Sequence, residues 1–285
     1  MTAAEGAGTL YVVSTPIGNM GDFSFRAVDV LNSVALVLAE DTRHTRNLLE
    51  RYEIRTPTTS YHEHNEAKTT PALVARLERG ESLALVSDAG TPLLSDPGAR
   101  LVRAAIKAGI DVVAVPGASA LLSALAVAGL DTDRFTFFGF LTRTGSERRG
   151  ALDDISTLRH TAVLYEAPNR IVATLGELER RGGGARSAVV AREMTKQFEE
   201  IKRGTVSELR AYYEDKPPRG EVVLVIGGAV EQAPTDEAVQ RRVNELRASG
   251  MSARDVATQV AAELGVAKRV AYRLTQQATK AGEDE

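Results

Sequence analysis

Short apolar segments alternate with longer amphipathic segments between residues 9 and 115. The apolar segments are rich in Val and Leu and lie at residues 9–14, 35–39, 58–61, 82–87 and 111–115. The segments between them place apolar residues at helical spacing, at residues 26–32, 42–51, 70–78 and 98–107. Strands separated by helices in this way predict a mostly parallel sheet with helices on its faces.

A second set of such segments follows a predicted helix at residues 118–128. Its strands are predicted at residues 135–141, 161–166, 187–192 and 221–226, and its helices at 170–180 and 206–213. A loop rich in Thr, Gly and Arg is expected directly after residue 141. The pattern predicts a second α/β domain.

The last part of the chain has a different pattern, which begins after a break at Ala233-Pro234. Three helices are predicted, at residues 237–248, 253–264 and 268–278. Ser252 followed by Asp255 is a possible helix cap, and Gly265 marks a turn before the last helix. The arrangement is similar to a helix-turn-helix, and it is typical of a packing or dimerisation appendage at least as much as of a nucleic-acid reader. We therefore predict an α/β fold in three parts, residues 9–118, 119–229 and 235–285.

Composition narrows the class of protein. The chain has 285 residues, of which 43% are hydrophobic and 26% charged, a balance typical of a globular protein. Cysteine is absent, which excludes disulfides, thiolate metal sites and cysteine nucleophiles and fits a cytoplasmic protein. The formal charge of −3 favours no polyanion partner, although arginine clusters could still contact one. No apolar run approaches the roughly 20 residues of a membrane span, so we expect no membrane partner.

Four unusual loops follow predicted strands and carry the candidate chemistry. They lie at residues 14–19, 40–43, 87–98 and 116–120. Ligands bind at the carboxyl ends of the strands in open α/β sheets, so these loops predict a cleft.

The loop at residues 87–98 contains two similar turns, Ser87-Asp88 and Ser95-Asp96. In the first, Gly90 allows a ligand to approach the backbone, and Asp88 offers a fixed negative charge. In the second, we interpret Asp96 as the cap of the next helix, because Pro97 would then occupy the first helical position.

Other common signatures do not occur. No GxGxxG or Gly-Lys-Ser/Thr phosphate loop is found, and no GxSxG elbow. The run 62–66 (HEHNE) lacks the second histidine of a zinc-binding HExxH, so no metal site is predicted.

Several motifs, taken in order, resemble those of the tetrapyrrole methylases, a superfamily of S-adenosylmethionine-dependent enzymes. Within it, the chain is most similar to the bacterial small-subunit (16S) ribosomal RNA cytidine 2′-O-methyltransferases. The matching segments span residues 9–228: LYVVSTPIGNMGD (10–22), AEDTRHTRNLL (39–49), SYHEHNE (60–66), SDAGTPLLSDPG (87–98), VPGASALLSAL (115–125), FFGFL (137–141), YEAPNR (165–170), AREMTKQFEE (191–200) and RGEVVLVIGG (219–228).

The resemblance implies two α/β domains with S-adenosylmethionine in the cleft between them, and a homodimer. It implies 2′-O-methylation of a cytidine in 16S ribosomal RNA or the small ribosomal subunit; methylation of a small tetrapyrrole is the alternative. Carried over by position, the residues that contact the methyl donor are Pro16, Asp88, Ala89, Gly90, Thr91, Ser119, Ala120, Leu164 and Glu221.

Methyl transfer to a hydroxyl depends mainly on alignment, and a base that removes the hydroxyl proton assists it. The candidates for this base are Glu40, Asp41, Glu166 and also His62; capping of the following helix is the alternative role for Glu40 and Asp41. The candidate phosphate contacts are Arg43, Arg46, Arg143, Arg148, Arg149 and Arg170. The loop after Phe140 lacks the proline and dense basic run common in the family, so RNA contact there is expected to be weaker or shared with other surfaces.

Overall fold

The computed structural model describes residues 6–229 and 236–281, with side chains as far as residue 276. The first sheet contains five strands, β1 (Thr9–Val13), β2 (Leu36–Ala39), β3 (Thr58–Ser60), β4 (Leu83–Val86) and β5 (Asp111–Val115). Their order is β3-β2-β4-β1-β5, and every pair is parallel. The mostly parallel sheet predicted from the alternation is confirmed.

Helices cover both faces of this sheet. They are α1 (Phe25–Ser33), α2 (Thr42–Arg51), α3 (Glu66–Glu78) and α4 (Ala99–Lys107). Two apolar cores result: Ala27, Leu31 and Leu48 pack on one face, and Leu77 and Leu101 pack on the other. Because both faces are buried, β2 and β4 consist of apolar residues throughout.

The second sheet also contains five strands, but its pairing is mixed. After α5 (Ala120–Ala128) come β6 (Phe135–Phe140), β7 (Thr161–Glu166), β8 (Ser187–Arg192), β9 (Glu200–Thr205) and β10 (Val222–Ile226). The order is β6-β7-β10-β8-β9, in which β6 and β7 are parallel and the other pairs antiparallel. One face packs against α5 and the other against α6 (Ser146–Thr157), α7 (Ile171–Leu178) and α8 (Val206–Asp215).

The chain divides into two compact units, Met1–Ala229 and Val230–Glu285. The described residues of the second unit form α9 (Asp236–Ala248), α10 (Ala253–Leu264) and α11 (Lys268–Ala281) around their own apolar core. The predicted caps are confirmed, because the Ser252 side chain accepts from the N–H of Asp255 and Gly265 is left-handed. Within the first unit, the domain boundary at residue 118 stays a prediction, and the predicted break at residues 233 and 234 lies outside the described residues.

The prediction of helices and strands from the sequence was wrong in four places. Helix α3 begins at Glu66 and includes Pro71, whereas the predicted helix began at residue 70. Part of the expected loop after residue 141 is helix α6, and the edge strand β9 was missed because its sequence, EIKRGT, is mostly polar and charged. Helix α4 begins at Ala99 with Gly98 as its N-cap, so Pro97 does not occupy the first helical position. None of the helices in the described ranges is long and apolar enough to cross a bilayer.

Candidate functional site

The four predicted loops meet at the carboxyl edge of the first sheet. Thr15 and Gly90 exchange backbone hydrogen bonds, with N···O distances of 2.8 and 3.1 Å. The Ser14 and Thr91 hydroxyls lie 2.9 Å apart, and Thr91 also donates to the carbonyl of Ala118 at 3.4 Å. Three of the loops are therefore held together by direct contacts around residues 90 and 91.

Asp88 connects the remaining loop to this group. Its carboxylate accepts a hydrogen bond of 3.0 Å from the backbone N–H of Asp41, the second residue after β2. Gly90 has a φ of +84°, and a Cβ placed on it would lie 3.3 Å from the Ile17 side chain. Glycine therefore suits both the backbone conformation and the tight contact at this position.

A cavity of about 470 Å³ opens beside these loops, within the volume of about 300–1,000 Å³ typical of small-molecule sites. The predicted site residues that line it are Glu40, Asp88, Ala89, Gly90, Thr91, Ser119, Ala120, Glu166 and Glu221. The structure thus brings nine of the predicted residues to one cavity, and their contacts with a ligand stay a prediction.

Two of the residues that were predicted to contact the methyl donor do not line this cavity. Pro16 lines a smaller adjoining pocket of about 190 Å³, which shares Asp88 and Glu221 with the main cavity. Leu164 is fully buried in the core beneath α7, on the face of the second sheet away from the cavity. The Leu164 side chain faces away from the cavity, because successive residues of a strand face opposite sides of the sheet and Tyr165 takes the cavity side. A contact between Leu164 and the methyl donor stays a prediction.

The second sheet supplies an apolar wall that the sequence analysis missed. Phe140, Tyr165, Met194 and Val223 line the cavity. The ring centre of Tyr165 lies 5.3 Å from that of Phe140, which is within the range of favourable aromatic pairs. Such a wall suits a flat, apolar part of a ligand, and the alternation along β7 was the signal that could have revealed it.

Asp41 is placed as a helix cap and does not line the cavity. Its carboxylate accepts from the Arg43 backbone N–H at 2.8 Å and pairs with the Arg43 guanidinium at 2.8 Å. These bonds hold the pKa of Asp41 well below its usual range. The pairing with Arg43 and the position outside the cavity argue against the prediction that Asp41 is a general base. The alternative role, capping of α2, is confirmed.

Glu166 is held by a buried network behind the cavity wall. Its carboxylate accepts from Thr174 at 2.6 Å and from the Ala167 N–H at 2.9 Å, and it pairs with Arg170 at 3.1 Å. The Glu166 side chain is 0% exposed, and Arg148 lies 3.8 Å from it. A carboxylate that is satisfied in this way is poorly available to take a proton, which argues against the predicted catalytic role of Glu166.

Two of the six predicted phosphate contacts belong to this same network. Arg148 is 6% exposed, donates to Thr174 at 2.9 Å and pairs with Glu177 at 3.2 Å. Arg170 donates to the carbonyls of Leu141 and Thr142. The prediction of RNA contact was wrong for Arg148, and it loses its support for Arg170, because tertiary pairing occupies these guanidinium groups. The other four, Arg43, Arg46, Arg143 and Arg149, are exposed. Arg43 also pairs with Asp41, but its side chain is 85% exposed.

Asp96 lines the cavity and does not cap α4, in contrast to the prediction. Leu93 and Ser95, which precede it, have φ values of +77° and +69°. Non-glycine residues rarely adopt this conformation, which is concentrated at functional sites. The strained loop places Asp96 at the cavity.

Two carboxyl groups of the cavity have raised pKa values. Burial, together with the nearby Glu40 and Asp88 carboxylates, raises the pKa of Asp96 to about 6. Burial and the negative charge of Asp88 also raise the pKa of Glu40. Glu40, Asp88 and Asp96, which follow strands of the first sheet, form one wall of the cavity, the first-domain wall. The carboxylates of this wall repel one another.

Two sheets with a ligand-sized cavity at the carboxyl edge of the parallel one define an α/β protein of the methylase-like fold class. Diphthine synthase has this fold, with a TM-score of 0.61 and 14% identity over 77% of this chain and 89% of its own. Uroporphyrin-III C-methyltransferase from Thermus thermophilus, solved in complex with S-adenosylhomocysteine, has it with a TM-score of 0.56 and 18% identity over 77% and 97%.

The chain belongs to the Tetrapyrrole (Corrin/Porphyrin) Methylases family, whose model matches residues 9–210. A relative from Synechocystis sp., ribosomal RNA small subunit methyltransferase I, is 45% identical over 94% of this chain and 97% of its own. A relative of the same name from Pseudomonas aeruginosa is 44% identical over 94% and 96%. The resemblance predicted from the motifs is confirmed.

Proposed function

We propose that this protein transfers a methyl group from S-adenosylmethionine to the ribose 2′-oxygen of a cytidine in the RNA of the small ribosomal subunit. The observation that carries the proposal is the cavity in which the loops of the family motifs meet. The relatives support the substrate class, because their name specifies small-subunit ribosomal RNA and they match over nearly the whole chain.

The cavity fits the methyl donor in shape and charge. S-adenosylmethionine supplies a methyl group that is already activated on a cationic sulfonium centre. The Asp88 carboxylate complements positive charge, the backbone N–H groups of Ala89 and Thr91 are the proposed hydrogen-bond donors, and Tyr165 and Met194 offer an apolar surface to the adenine ring. The protein contributes by aligning the reacting groups and excluding water from them.

The exposed arginines are the proposed phosphate contacts. Arg43 and Arg46 lie on α2, the helix whose His44 and Asn47 line the smaller pocket beside the cavity. Arg143 and Arg149 lie on either side of the start of α6. Guanidinium groups around a cavity suit a backbone whose phosphates position the target nucleotide.

The alternative, a small tetrapyrrole substrate, has less support. The uroporphyrin methyltransferases are similar to this chain in fold at 18–22% identity, whereas the ribosomal RNA methyltransferases are 40–45% identical. The two acceptors share a methyl donor, so only assays of the acceptor separate them.

We also propose that the protein is a homodimer and acts in the cytoplasm, where ribosomal subunits are assembled. Support for the dimer comes from β5, an edge strand of the first sheet whose Val113 and Ala114 are exposed. Arg26 donates to the carbonyl of Ala114, which places the 92% exposed Phe25 near the same edge. An edge strand beside exposed apolar side chains is a surface that a second copy could cover.

The test is incubation of the protein with isotopically labelled S-adenosylmethionine and small ribosomal subunits from cells that lack this methylation. Nucleosides are then separated and identified by mass spectrometry. We expect label in 2′-O-methylcytidine and none in an added uroporphyrinogen. Label in a base, in the tetrapyrrole, or in no product would contradict the proposal.

A further inference from the structure

Five acidic residues line the cavity, and their carboxylates differ in what satisfies them. Glu166 is bound by Thr174 and Arg170, and Glu221 pairs with Lys196 at 3.1 Å. Asp88 accepts the backbone N–H of Asp41. Each of these three is committed to a contact that holds the cavity walls in place.

Glu40 and Asp96 are the other two; each accepts a hydrogen bond as well, but the pKa of each is raised. Glu40 follows β2 directly and accepts a hydrogen bond from the backbone of Asp88. Asp96 lies in the strained segment before α4, and a hydrogen bond with Ser87 is the interaction that favours its charged form. The charged groups that act on Asp96 are Glu40 from the end of β2 and Asp88 from the end of β4, and Tyr165 of β7 lies within its electrostatic reach.

From this arrangement we propose that Asp96 is the catalytic base that accepts the proton of the ribose 2′-hydroxyl; the inference rests on the proposed methyl transfer. In this step the ribose oxygen forms a bond to the methyl carbon, and the bond between that carbon and sulfur breaks. The electron pair of the broken bond stays on the sulfur, which becomes a neutral thioether, and the hydroxyl proton moves to the Asp96 carboxylate. Charge and atoms balance without another reactant.

The electrostatics of the cavity support this role. A base works best when its pKa lies near the operating pH, because it is then ionised and still basic. Burial and its two carboxylate neighbours raise the pKa of Asp96 to about 6, whereas Asp41 has a pKa far below its usual range. Asp96 is therefore ionised at pH 7 and more basic than an ordinary aspartate.

The backbone conformation of residues 93–95 is unusual for a segment that leads into a helix. Positive φ at Leu93 and Ser95 costs free energy that a simple helix start would avoid. Gly139 of β6 approaches this turn, because a Cβ built on it would lie 3.1 Å from the Ser95 hydroxyl. The second domain therefore contacts the segment that places Asp96.

The experiment compares the wild type with Asp96→Asn, which keeps the shape of the side chain and removes its basicity. Methylation of undermodified small subunits is measured from pH 5 to pH 8 with both substrates limiting, so that the rate reports the free enzyme. We expect the wild-type rate to rise through an apparent pKa near 6. For Asp96→Asn we expect a loss of at least about 100-fold and no such rise. Asp96→Glu should restore part of the rate.

Two controls separate this inference from the proposed function. Calorimetry should give Asp96→Asn an affinity for S-adenosylmethionine within roughly threefold of the wild type. Asp133→Asn, an exposed substitution outside the cavity, should leave the pH profile unchanged.

A third variant, Glu40→Gln, removes a neighbouring negative charge, so it should move the rise in rate to lower pH. If Asp96→Asn keeps the rate and the rise, or if Glu40→Gln abolishes the rise, Asp96 is not the base. A wild type that methylates no RNA would instead contradict the proposed function and this inference together.

Discussion

The two walls of the cavity differ in whether their carboxylates are paired with cations. On the second-domain wall, Glu166 is fully buried and surrounded by Arg148, Arg170 and Thr174, so that its charge is paired. On the first-domain wall, Glu40, Asp88 and Asp96 lie near one another, and the pKa values of Glu40 and Asp96 are raised. Paired charge fixes a wall, whereas unpaired charge remains available for binding and proton transfer.

The largest effect is expected on the paired wall. Arg148→Ala should lower the free energy of unfolding by about 3–5 kcal/mol, because it removes a buried guanidinium that pairs with Glu177, donates to Thr174 and lies 3.8 Å from Glu166. Chemical denaturation of the variant measures the loss. The matched control is the adjacent exposed Arg149→Ala, and equal stability of the two variants would show that the network does not hold the wall.

The next largest effect is expected on the binding of the methyl donor, S-adenosylmethionine. Asp88→Ala removes the acceptor for the Asp41 N–H and a negative charge of the cavity. We expect the dissociation constant for S-adenosylmethionine to rise at least about 100-fold, or about 2.7 kcal/mol. Calorimetry measures it, with Asp133→Ala as the control. An unchanged affinity would place the donor elsewhere.

A smaller effect on stability is expected from the repulsion of Asp96 by the neighbouring carboxylates of Glu40 and Asp88. The pKa of Asp96 is raised, so ionisation destabilises the folded protein as the pH rises from about 4 to about 6. Asp96→Asn should therefore be more stable than the wild type, by about 1 kcal/mol at pH 8 and by less at pH 5, allowing for solvent screening. Thermal denaturation at both pH values should show a shift of about 2–4 °C at pH 8. A variant that is less stable at pH 8 would argue that Asp96 is a structural residue.

The smallest effect is expected at the surface. Arg149→Ala should change the free energy of unfolding by less than about 0.5 kcal/mol. If Arg149 contacts a phosphate, the slope of log affinity for small-subunit RNA against log salt should fall by about 1. Filter binding at several salt concentrations measures the slope, and no change would remove Arg149 from the RNA surface.

The sequence predicted what depends on local pattern. Strand and helix periodicity located the first sheet, and its loops had to meet because parallel strands end at one edge. Gly90 was expected to let a ligand approach the backbone; it lines the cavity, and its contact with a ligand stays a prediction. The charged edge strand β9 lacked the apolar alternation on which such predictions depend.

The errors arose where tertiary contacts decide. Arg148 and Arg149 are adjacent in the sequence, and only packing against Glu177 and Thr174 makes one buried and the other exposed. Asp96 fits the local pattern of a helix cap, but the strained turn before it carries the carboxylate into the cavity. Leu164 and Tyr165 are neighbours in β7, so their side chains lie on opposite faces of the sheet, and only that of Tyr165 faces the cavity.

The most direct test of the division between the two walls measures donor affinity and methyl transfer on the same preparations of wild type, Asp88→Ala and Asp96→Asn. We predict that Asp88→Ala loses donor binding and transfer together. Asp96→Asn should bind the donor normally and transfer at least about 100-fold more slowly to small-subunit RNA. Equal behaviour of the two variants, with both properties kept or both lost, would contradict this division.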